Sequence, residues 1–258
     1  MLINQCRVLL IGGSGGIGQS MTETLRGHGA HVIPVGRRWI NGTPTDSVTA
    51  DITLANDRAR LLEVMHRESV NVVVMAAGMS SFKPVEQTRE DEVENVLGIN
   101  LIAPIQLTSE MLPQLLSQPQ AQVIFVGSVL GHMGLPGYAL YGSSKWGLRG
   151  FAQALRREVA GSNLRVKYLS PRATRTEFNS PSALVYNELT HTKSDDVAVV
   201  ASSLVRLLQS NACEQVVGWP ESLAVRLNAV WPALMDLILR QHARILKSLF
   251  TSFSKSEA

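Results

Sequence analysis

A tyrosine and a lysine four residues apart, in Tyr141-Gly142-Ser143-Ser144-Lys145, are the pair in this sequence best suited to proton chemistry. On a helix that spacing places both side chains on one face. A free phenol loses its proton near pH 10, too high for easy exchange at neutrality, and a neighbouring ammonium favours the phenolate. Hydride arriving at a carbonyl carbon leaves charge on the oxygen, so a positioned phenol that delivers a proton lowers the barrier. Thirteen residues earlier, Ser128 ends the apolar run Phe125-Val126-Gly127-Ser128-Val129, where its hydroxyl can hold the same oxygen. Each residue alone is commonplace: a Tyr-x-x-x-Lys also occurs on solvated helix faces, and a serine after a strand also serves as a turn or cap.

A second group of residues suits a phosphate. Ile11-Gly12-Gly13-Ser14-Gly15-Gly16-Ile17-Gly18 follows an apolar run and opens a helical pattern. Glycines there permit a tight turn and close backbone approach to a pyrophosphate, while free N–H groups at the helix start face the anion. A dinucleotide cradle is expected, with a plain glycine-rich connection as the alternative. About 20 residues further on, where an acid would hold the ribose hydroxyl of NAD, the chain reads Val35-Gly36-Arg37-Arg38. Two guanidinium groups can clamp a 2′-phosphate that a carboxylate would repel, so NADPH/NADP+ is the expected cofactor; otherwise these arginines merely solubilise a loop.

These residues need a rigid frame, and the chain alternates short apolar runs with longer helical stretches, the pattern of βαβ units. Arg7–Ile11, His31–Val35, Val70–Val74, Gln122–Val126, Arg165–Leu169 and Gln215–Val217 read as strands, with a further one before Asp51. Gly16–Arg26, Leu54–Arg67, Glu90–Leu116, Ala139–Ala160 and Asp195–Leu208 read as helices. The expected fold is a single α/β domain, a Rossmann-like doubly wound parallel sheet with helices on both faces. Residues 1–218 would form it, and 219–258 would add an amphipathic helical extension to the same domain. The stretch Asn179–Lys193 reads as irregular and, following a strand's carboxyl end, as a substrate lid.

Taken together, these motifs resemble those of the short-chain dehydrogenase/reductase family, over about Arg7 to Gly218. The family's Thr-Gly-x-x-x-Gly-x-Gly is matched by Gly12, Gly16 and Gly18, and its serine and Tyr-x-x-x-Lys by Ser128, Tyr141 and Lys145 in order and spacing. The resemblance implies a fourth catalytic residue, Asn100, anchoring a water that links Lys145 to bulk solvent. It also implies cofactor contacts from Ser14 and Ile17 in the first turn, Asp51 and Ile52 at the adenine, and Ala77 and Gly78 beside the adenosine. Pro171, Thr174 and Thr176 would meet the nicotinamide end, Tyr141 and Lys145 would touch the cofactor as well, and a homodimer or homotetramer would form on the helices carrying Asn100 and Tyr141. Three departures stand out: Ile11 for threonine, Met75-Ala76 for Asn-Asn, and Arg172 for the glycine after Pro171. Arg172 and Arg175 put new charges near the site, to read an anionic substrate or to face solvent.

Composition narrows the remaining choices. With 45% apolar and 17% charged residues the chain can bury a core, and its basic residues are dispersed rather than gathered in a tract, so no nucleic-acid partner is expected. Cys6 and Cys213 form no C-x-x-C pair and no metal-binding spacing, so two reduced thiols and no metal are expected. No leader pattern or run long enough to span a bilayer is evident, and a cytoplasmic location is expected. Beyond Gly218, Leu234, Leu237, Ile238, Ile245 and Leu249 recur at helical spacing against Asp236, Arg240, Arg244 and Lys247, which predicts a basic amphipathic helix starting at Trp231-Pro232. Its apolar face would pack internally, wall the substrate pocket, or make a peripheral membrane contact. The leading reading is an NADPH-dependent oxidoreductase reducing a small-molecule carbonyl to an alcohol, with a 3-oxoacyl or other lipid-like ketone favoured. The alternatives are a cofactor-binding scaffold or sensor without turnover, disfavoured because a scaffold needs only the glycines, and a membrane-peripheral protein acting through its C-terminal helix.

Overall fold

In the computed structural model, residues 1–39 and 42–256 are described, with side chains through Thr251. The apolar runs become β1 (Arg7–Ile11), β2 (His31–Gly36), β3 (Val48–Thr49), β4 (Val72–Met75), β5 (Ala121–Val126), β6 (Leu164–Ser170) and β7 (Glu214–Val216). All pair in parallel, in the order β3-β2-β1-β4-β5-β6-β7. Between them run α1 (Gly16–Gly27), α2 (Ala55–Arg67), α3 (Glu90–Leu97), α4 (Ala103–Ser117), α5 (Ala139–Glu158), α6 (Pro181–Leu189) and α7 (Val197–Gln209). Three more helices close the chain: α8 (Glu221–Val230), α9 (Pro232–Ile238) and α10 (Arg240–Ser256).

Side chains alternate across each strand, and the two resulting layers are both buried. Leu9, Ile11, Val73, Met75, Val123 and Phe125 face Leu61 and Met65 of α2, Leu107 and Met111 of α4, and Leu148 of α5. Val8, Leu10, Val72, Val74 and Ile124 face Met21 and Leu25 of α1 and Val200 and Leu204 of α7. Each such aliphatic side chain, removed from water, contributes about 1.5–3 kcal/mol, which fixes the register of the central strands. Strand order reverses direction at β1, between β2 and β4, so a crevice opens there beyond the strands' carboxyl ends.

Three expectations about helices change. The single helix over Glu90–Leu116 is broken by a π-helical turn at Gly98–Ile102, between α3 and α4. Asn179–Lys193 is not irregular: Ser180 accepts a hydrogen bond from the Ala183 N–H at 3.2 Å, Pro181 supplies a pre-set first turn, and α6 follows. The predicted C-terminal helix is two, α9 and α10, which meet at Leu239, and α8 precedes them. Consequently its apolar residues do not share one face: Ile245 and Leu249 pack inward, whereas Leu237 and Ile238 are more than half exposed.

Candidate active site

The first turn of the chain past β1 is shaped for close approach. Gly12 has φ +92°, and a Cβ there would lie 2.5 Å from the Ala77 nitrogen, so only glycine fits between the ends of β1 and β4. A Cβ on Gly18 would collide with the Gly12 carbonyl, and one on Gly16 would come 3.1 Å from Cγ2 of Thr176. The start of α1 therefore faces the loop that carries Thr174 and Thr176, and its free N–H groups with the glycine backbone suit a dinucleotide's pyrophosphate. Ala77 and Gly78 follow just past the end of β4, with the Ala77 backbone against Gly12.

At the end of β2, the Ser14 hydroxyl lies over Gly36, and Arg37 and Arg38 follow, both exposed. Arg37 Nη1 is 3.8 Å from Oδ2 of Asp51. Partial burial works to raise the Asp51 pKa, but hydrogen bonds from Thr53 and the nearby Arg37 outweigh it and hold the carboxyl below its usual range. Ile52 is buried next to it. Ser14, Arg37, Arg38 and Asp51 thus gather at one edge of the cradle, while Ile17, half-buried, packs against the core behind α1.

The proton-handling residues assemble beyond β4 and β5. Tyr141 and Lys145 lie one turn apart at the start of α5, both buried, with Lys145 Nζ 5.8 Å from the phenol ring centre. Ser128 follows β5 and accepts the Leu130 N–H at 3.1 Å, and its hydroxyl lies near enough to Tyr141 to work against the burial that raises the phenol's pKa. Asn100, fully buried in the π-helical turn, accepts the Met79 N–H through Oδ1 at 2.7 Å. Its Nδ2 donates to the Met79 carbonyl and to the Ser144 hydroxyl, both at 2.9 Å. A Cβ on Gly78 would sit 3.2 Å from Asn100 Oδ1 and 3.5 Å from Lys145 Nζ, so both polar groups converge on the end of β4. The extra residue of a π turn rotates Asn100 into this position, which an unbroken α-helical pattern could not have indicated.

The electrostatics differ from the sequence expectation that Lys145 draws Tyr141 towards phenolate. Burial raises the Tyr141 pKa above its ordinary value, against the pull of the Ser128 hydroxyl. Burial also lowers Lys145, to about 8, and its Nζ donates to the Val126 carbonyl at 3.2 Å. Desolvation dominates for both groups, and Lys145 Nζ, turned towards the Val126 carbonyl, does not offset it at the phenol. The phenol is thereby kept protonated.

Several residues that position the site carry no motif. Tyr168 of β6 donates to the Lys145 carbonyl at 3.0 Å, and its ring fills the space where a side chain on Gly127 or Gly131 would stand. The two glycines spaced four apart around Ser128 were the available signal. Over Tyr141 lies an apolar cluster of Phe82, Tyr138, Ala183, Tyr186 and Leu249, with Phe178 edge-on at 5.9 Å. The Tyr186 hydroxyl and His242 Nδ1, 3.0 Å apart, join α6 to α10 above it. Arg172, read from sequence either as a reader of anions or as a solvent-facing charge, is instead engaged: it bonds Asp195 at 2.6 Å, Glu221 at 2.9 Å and the Trp219 carbonyl at 3.2 Å. Arg175 is exposed, 3.6 Å from Asp196.

Both the cradle and the proton-handling group fit a nicotinamide-dependent oxidoreductase. The family model for short chain dehydrogenase matches residues 7–184, and the chain belongs to that family of NAD(P)-dependent enzymes. A relative, carbonyl reductase family member 4 of Xenopus laevis, is 29% identical over 180 residues, covering 66% of this chain and 76% of that one. Among solved structures, a short chain dehydrogenase from Burkholderia cenocepacia in complex with NADP superposes with a TM-score of 0.80 at 21% identity, over 93% of this chain and 99% of that one. A 3-ketoacyl-(acyl-carrier-protein) reductase from Brucella melitensis complexed with NADH gives 0.76 at 20% identity, over 85% and 99%. These two likenesses show the fold.

Proposed function

We propose that this chain is an NADPH-dependent carbonyl reductase for extended apolar ketones, with a 3-oxoacyl thioester as the favoured class. The observation that carries the reading is the enclosure of Tyr141 by aromatic and aliphatic side chains, including Leu249 from α10. Such walls favour a hydrocarbon tail and give a sugar few polar partners. Pro171, Thr174 and Thr176 would hold a reduced nicotinamide, which when bound would supply the hydride. Ser128 holds the carbonyl oxygen, Tyr141 delivers the proton to it, Lys145 provides positive charge nearby, and Asn100 fixes the Met79 backbone and α5 around them. A phenol whose pKa is raised by burial is held in the protonated form that reduction of a carbonyl calls for.

The names of relatives support this reading: one is a carbonyl reductase and one structural neighbour a 3-ketoacyl reductase. The test is a homologous series of ketones assayed by NADPH absorbance with the full chain. We expect kcat/KM to rise at least about tenfold from short to long chains, since each buried methylene is worth about 0.8 kcal/mol. Leu249→Ala should flatten that rise while leaving short ketones nearly unaffected. A flat series in the unaltered enzyme overturns the substrate class, and cofactor binding without turnover on any carbonyl favours a scaffold.

NADPH preference rests on Arg37 and Arg38. Charge-assisted bonds of about 1.5–3 kcal/mol imply at least a tenfold tighter dissociation constant for NADPH than for NADH. Arg37→Ala with Arg38→Ala should weaken NADPH binding by that factor and NADH binding far less; equal constants for the two cofactors in the unaltered protein rule the preference out.

We also place a homodimer or homotetramer contact on the helices bearing Asn100 and Tyr141, where Ile102 and Trp146 are nearly half exposed. Among the described residues no helix is long and apolar enough to cross a membrane. Cys6 and Cys213 are both free thiols, which supports a reducing, cytoplasmic location.

A further inference from the structure

On α8, Leu223, Leu227 and Val230 recur at spacings of four and three, which places them along one side of the helix, and Trp231 follows as its C-cap. The opposite side carries Val225, buried against Val129, Met133 and Met235. Among the described residues this row grows barer towards its end: Leu223 is 42% exposed and Leu227 38%, but Val230 is 87% exposed and Trp231 62%. The same corner continues through α9, where Leu237 and Ile238 are more than half exposed. Two residues later α10 begins, its inner side held by Ile245 and Leu249. Its outer side bears Arg240, Arg244 and Lys247, one per turn and all exposed. From Ser222 to Phe250 these three and Arg226 face a single acid, Asp236.

We propose that the α8–α10 corner docks on an anionic lipid surface, with the apolar row entering the boundary between headgroups and acyl chains and the basic row meeting lipid phosphates. A monomer seldom leaves so many large apolar side chains bare on adjoining helices. Tryptophan suits the interface because one part of its ring is apolar and its N–H is polar. A second copy of the chain is the poorer occupant: a two-fold contact would bring together two patches that each carry Arg226, Arg240, Arg244 and Lys247, with only Asp236 from each copy to offset them. Negatively charged headgroups instead attract each of them. The corner leads directly into α10, the helix that covers Tyr141. Docking itself does not depend on turnover or on the proposed substrate.

The test is flotation of the full chain with vesicles of phosphatidylcholine and phosphatidylglycerol in a three-to-one mixture, beside vesicles of phosphatidylcholine alone. We expect at least about tenfold more protein on the anionic vesicles, release at high salt, and a blue shift of tryptophan emission on binding. Val230→Glu with Trp231→Glu, and separately Arg240→Glu with Arg244→Glu, should each lower binding by about tenfold or more, with circular dichroism and NADPH binding unchanged. Should the first pair unfold the protein, Val230→Ser with Trp231→Ser gives the same comparison. Failure of the unaltered chain to bind anionic vesicles overturns the proposal, as does equal binding to both vesicle types or undiminished binding by the folded variants. A dimer that the Val230 and Trp231 changes dissolve, in a protein that ignores vesicles, assigns the corner to a second copy. None of these readouts requires catalysis, so failure here and failure of the reductase reading are separable.

Discussion

Replacing Tyr141 by phenylalanine is expected to cut carbonyl reduction by roughly two to four orders of magnitude, the usual worth of a positioned proton donor, while NADPH still binds. The ring would keep its place among Tyr138 and Phe178, so the loss isolates the hydroxyl. Lys145→Ala should damage both turnover and cofactor affinity. The pH profile separates the two groups. Burial lowers Lys145 to about 8, so its positive charge is present below that pH and is lost as pH rises through it. Burial raises Tyr141, which stays protonated over the same interval and adds no limb of its own. The rate of reduction should therefore fall as pH rises through about 8, and Lys145→Arg, whose charge does not titrate there, should flatten that limb even if slower. Unchanged turnover in Tyr141→Phe would remove the phenol from the chemistry, and a limb that survives in Lys145→Arg would assign it to another group.

The second large effect is on stability. Arg172 ties the loop after β6 to Asp195 ahead of α7 and to Glu221 at the start of α8, with all three side chains at least four-fifths buried. Arg172→Ala would leave two carboxylates in that environment without their cation, at a cost of about 3 kcal/mol or more. In thermal unfolding that corresponds to roughly 6–12 °C. The network is itself incompletely satisfied, since Arg172 Nε and Asp195 Oδ2 are buried without a hydrogen-bond partner. Removing all three charges together, as Arg172→Met, Asp195→Asn and Glu221→Gln, should accordingly cost much less than the single change. Equal losses for the single and triple variants would show that the three do not act as one unit. A loss under about 1 kcal/mol for Arg172→Ala would show that the cluster is effectively solvated.

The residues proposed to carry the chemistry were legible in the sequence because their constraints are local. Tyr141 and Lys145 meet through helical spacing alone, and Gly12, Gly16 and Gly18 are demanded by a strand-turn-helix connection whose parts adjoin in the chain. The apolar runs likewise announced a sheet covered on both faces, and β1 falls on the predicted residues. What only the tertiary structure decided depends on contacts between distant segments. Asn100 reaches Met79 and Ser144 through a π turn that packing imposes on an otherwise continuous helical pattern. Arg172 looked like a free charge and is occupied by partners 23 and 49 residues away. The pKa directions of Tyr141 and Lys145 follow from their burial, which no spacing reveals. At the C-terminus, helical period gave one apolar face. The bend at Leu239 divides it, sending Leu249 over the phenol and leaving Leu237 and Ile238 outside, because periodicity records which residues share a side of a helix but not what that side will meet.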